Sequence, residues 1–127
     1  MFISTYHPEL GVMIHDSQDN VSLADLLLAN QHWFGHDMFD PTRPVIWDLH
    51  DYSITMSIDE IRNVFAVTRI ALGDRKRQGG VTAWVHSTSL VRAMIEMVRD
   101  EFNWGSSWET FDERSEAIKW CLNNNTP

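Results

Sequence analysis

The stretch Pro44-Val45-Ile46-Trp47-Asp48-Leu49-His50-Asp51, followed shortly by Ser57-Ile58-Asp59-Glu60, decides the fold. Val45, Ile46, Trp47 and Leu49 form a short apolar run, bounded by Pro44 before and polar residues after. Apolar side chains of both parities in so short a run read as a central strand with cover on both faces. Ser57 with Glu60 three residues on has the capping-box pattern, which satisfies free backbone N–H groups at a helix start. A strand passing through a loop into a capped helix is the repeating step of an α/β sheet.

Working outward, Phe2 to Tyr6 alternates weakly and stops at His7-Pro8. Leu10, Val12 and Ile14 share one face of a better strand, so the two are expected to pair as a hairpin. Asp16 to Asn20 reads as a polar loop. Ser22 caps a helix expected to run to about Gly35, with Leu23, Leu26, Leu27, Asn30 and Phe34 along one face. After the central strand, a helix expected from Ser57 to about Leu72 has Ile58, Ile61, Val64, Phe65 and Leu72 on its buried side. A glycine-rich connector carries Arg75-Lys76-Arg77, a solvated loop in an acidic chain. Val81 to His86 is the next strand, and Ser87-Thr88-Ser89 opens a helix with Leu90, Val91, Met94, Ile95, Val98 and Phe102 inward. Trp108 to Phe111 is a short strand. Asp112 caps a last helix with Ala117, Ile118, Cys121 and Leu122 inward. This alternation implies a mainly parallel sheet with an antiparallel N-terminal edge.

The 127 residues suit one domain, 1–127, and 43% hydrophobic content supports a core. Ten basic against eighteen acidic residues give a net charge of −8. That argues against non-specific binding to nucleic acid or anionic membranes. No apolar run approaches the roughly 18–20 residues of a membrane span. A single cysteine, Cys121, excludes an intrachain disulfide. With no secretory pattern at the N-terminus, a cytoplasmic location is expected.

Val45 to Leu49, the loop and the helix at Ser57 resemble the central segment of STAS domains. Val81-Thr82-Ala83-Trp84-Val85 is similar to their next strand. Trp108-Glu109-Thr110-Phe111-Asp112 with Glu116-Ala117-Ile118 and Trp120 resembles their C-terminal strand and helix. The likeness covers most of the chain from Leu10 on and is nearest to the SpoIIAA-like bacterial proteins of unassigned function. It implies a small STAS-like α/β domain that binds rather than catalyses. In the anti-sigma-factor antagonists of that family, a serine at the start of the helix after the central strand is phosphorylated. Their Asp-Ser-Ser-Gly falls on Met56-Ser57-Ile58-Asp59 here. The phosphorylated position therefore falls on Ile58, and no kinase switch is expected.

Three roles follow in order of preference. The first is a non-catalytic module for protein–protein interaction or regulation. Trp84 lies opposite Val81, Ala83 and Val85, on a side shared with Thr82 and His86. A sheet covered on one side only would leave Trp84 exposed for a homodimer or another protein, with Trp47 the second candidate. The second role is a small-ligand carrier with an apolar pocket and an anion-binding helix end. Its candidate residues are Ser57, His86, Ser87, Thr88 and Ser89, since free N–H groups and hydroxyls meet where a strand leads into a helix. The third is a hydrolase built from Ser57 or Ser87, His50 or His86, and Asp48 or Asp51. No Gly-x-Ser-x-Gly elbow supports it. His32 and His36 have metal-ligand spacing but lack a third ligand nearby, so no metal and no cofactor are expected.

Overall fold

The computed structural model describes residues 1–19, 21–50, 57–63, 66, 80–86, 88–101 and 107–124. The elements are β1 (Phe2–His7), β2 (Val12–Ser17), α1 (Leu23–Phe34), β3 (Val45–Leu49), α2 (helical at 58–63), β4 (Thr82–His86), α3 (Ser89–Glu101), β5 (Trp108–Phe111) and α4 (Arg114–Asn124). They build an α/β fold on one five-stranded mixed sheet in the order β1-β2-β3-β4-β5. β1 is antiparallel to β2, and β2 to β5 run parallel.

Local chemistry sets these boundaries. The β1–β2 turn closes where the Leu10 and Gly11 N–H groups donate to the His7 carbonyl at 3.1 and 2.8 Å. Gly11 sits at φ +68°, which a residue without a Cβ adopts at little cost. Ser22 and Asp25 form a reciprocal capping box at α1. The expected box at α2 is present too: the Glu60 N–H donates to Ser57 Oγ at 3.1 Å, and the Ser57 N–H to Glu60 Oε1 at 3.3 Å.

Strand parity divides the core in two. Met13, Val45, Trp47, Leu49, Trp84 and Trp108 face α1, α2 and α3, whose Leu26, Ala29, Trp33, Ile61, Val91, Ile95 and Val98 complete that layer. Val12, Ile14, Ile46, Ala83 and Val85 face Ala117 and Cys121 of α4.

Several sequence expectations change here. Trp84 does not project from an uncovered sheet face: it is 2% exposed within this single chain. It stacks on Trp47, ring centroids 5.4 Å apart, and meets Trp108 at 5.1 Å. The cause is register. Trp47 pairs with Trp84 across parallel strands, so both indoles fall on the side that carries three helices. β2 continues through Asp16 and Ser17, which the sequence reads as loop. On α1 the buried stripe is Leu26, Ala29, Asn30 and Trp33, while Leu27 and Leu28 are exposed. Leu90 and Leu122 are likewise exposed, because Val91, Ile95, Val98 and then Ala117, Cys121 hold the inward positions. α4 begins at Arg114, two residues past the expected cap Asp112. Ser87, Asp51, Val64, Phe65, Phe102, the 75–77 basic run and the helix beyond residue 66 lie outside the described residues.

Candidate functional site

Two polar sites stand out, one at the sheet's C-terminal edge and one beneath α1. At the edge, Asp16 lies near the end of β2 and Asp48 near the end of β3, directly opposite each other in register. Their parity places both on the α4 side. Asp48 is buried at 3% exposure. Its Oδ1 accepts from the His50 backbone N–H at 3.1 Å and lies 2.7 Å from His50 Nδ1. A carboxylate only accepts, so Nδ1 carries the proton of that imidazole. Arg114 Nε donates to Asp48 Oδ2 at 2.6 Å, and Arg114 Nη2 lies 3.0 Å from Asp16 Oδ1. His50 Nδ1 is 3.5 Å from that same Asp16 oxygen. Desolvation pulls the Arg114 pKa down, but hydrogen bonds and charge from Asp48 and Asp16 outweigh it and raise it.

Asp16, Asp48 and His50 are the one group among the described residues with three potential metal-ligand atoms within 4.8 Å of one another. The Arg114 guanidinium already supplies the positive charge there. Among the described residues the strand order runs without reversal, so it has no topological switch point at this edge, the feature at which α/β sheets commonly bind ligands.

The second site lies between β1 and α1. A cleft of about 320 Å³ is lined by Met1, Phe2, Ser4, Asp25, Leu28, Ala29 and His32. Leu28 is 62% exposed there, although it is a large apolar side chain. Next to this cleft is His15, fully buried on β2. Ser4 Oγ lies 2.7 Å from its Nδ1, and Trp47 covers its ring at 4.1 Å. His15 Nε2 has no hydrogen-bond partner among the described residues. Burial, with a smaller contribution from His32, lowers its pKa to about 3. The imidazole is therefore neutral at physiological pH.

Of the described residues expected from sequence, Ser57 and Thr88 make hydrogen bonds local to their own helices. Ser57 Oγ caps α2, and Thr88 Oγ1 accepts the Val91 N–H at 3.2 Å at the start of α3. Ser89 is exposed in the first turn of α3. His86 is buried at the end of β4, its Nε2 3.7 Å from Asp112 Oδ1. No hydrogen bond or ion pair joins Ser57 to His86 or Thr88 among the described residues. His32 and His36 meet edge to face at 5.9 Å, and His36 Nδ1 accepts the Met38 N–H at 3.0 Å. Arg114 and Asp16 escape the sequence reading. One signal was available: an arginine in the first turn opposes the helix dipole and calls for carboxylate partners.

No protein-family model matches this chain, and no curated protein matches it.

Proposed function

We propose that this chain is a non-catalytic STAS-like binding module, acting in protein–protein interaction or regulation, with the cleft between β1 and α1 as its binding face. The carrying observation is the exposed Leu28 beside that open, mixed-polarity cleft. Exposed apolar side chains gathered at a concave surface are how partner side chains are received. Catalysis finds less support. The carboxylates, imidazole and guanidinium at the sheet edge are engaged with one another, and the order of the described strands has no switch point beside them.

The cleft's volume favours a second reading, a small-ligand carrier. Its size sits at the lower end of small-molecule sites, ~300–1,000 Å³. Ser57, His86, Thr88 and Ser89 are not in its lining, so this version does without an anion-binding helix end.

The test is amide chemical-shift mapping on the labelled chain, titrated with fractionated extract of its host. Perturbations are expected at Ser4, Asp25, Leu28, Ala29 and His32, and their loss in Leu28→Asp. Perturbations centred on Asp48, His50 and Arg114, unchanged in Leu28→Asp, would contradict the proposal.

A further inference from the structure

We draw no further inference here: the strongest candidate, the Asp16–Asp48–His50 cluster at the C-terminal edge of the sheet, is already neutralised by the Arg114 guanidinium, and nothing else among the described residues points to a ligand there.

Discussion

At the scale of single residues, two buried polar groups set opposite expectations. Asp48 is satisfied three times over, by His50 N–H, His50 Nδ1 and Arg114 Nε. Asp48→Asn keeps the shape but removes the charge, and should cost about 1.5–3 kcal/mol in urea unfolding, the range for hydrogen bonds to charged groups. Asp16 is half-buried and shares Arg114, so Asp16→Asn should cost under about 1 kcal/mol. Equal costs would mean that the network is not centred on Asp48. His15 makes a pH prediction. Its folded pKa, about 3, lies below the ordinary imidazole value of 6.5, so the unfolded chain takes up the proton first. Stability from neutral His15 is complete above about pH 6.5 and is lost as pH falls toward about 3, by at most ~1.4 kcal/mol per pH unit. His15→Phe should remove that part of the acid limb in urea midpoints taken across this range. Parallel pH curves for the two proteins would contradict a neutral, buried His15.

At the scale of elements, two helix starts were legible. The signals are local: Ser22 caps α1 as expected and the Ser57/Glu60 box forms as read, whereas Asp112 lies two residues ahead of α4. Ser57→Ala should therefore cost about 0.5–2 kcal/mol, measured by thermal or urea unfolding. A change within error would mean that Ser57 does not serve as the cap. Faces were less legible than boundaries. On α1 the sequence offers Leu23, Leu26, Leu27, Asn30 and Phe34 as a stripe; Leu26 and Asn30 are buried, but Ala29 and Trp33 turn inward with them while Leu27 is exposed. Neighbouring leucines leave the stripe ambiguous by one position, and packing against Tyr6, which stacks on Trp33 at 5.8 Å, decides it. Arg114, Asp16 and Asp48 could not be joined from sequence, since strand register brings residues far apart in the chain together.

At the scale of the whole molecule, alternation of strands and helices gave the α/β class and the antiparallel first pair. It left open how helices divide between the two faces. Three helices lie on the tryptophan side and α4 on the other, which turns Trp84 from a candidate surface residue into core. Trp84→Ala should cost about 3–5 kcal/mol, the range for truncating a large buried aromatic, with the loss read as unfolding midpoint. A small stability change together with loss of a dimer would restore Trp84 as an interface residue. The candidate binding face was not legible at all, because Ser4, Leu28 and His32 meet only once β1 is docked under α1.

The central claim is that binding resides in the β1–α1 cleft and not at the polar sheet edge. Native mass spectrometry tests it on protein freshly purified from its own host, with wild type, Leu28→Asp and His50→Ala compared side by side. The account predicts a co-purifying mass on wild type that persists in His50→Ala and disappears in Leu28→Asp. Loss of that mass in His50→Ala with retention in Leu28→Asp would contradict it.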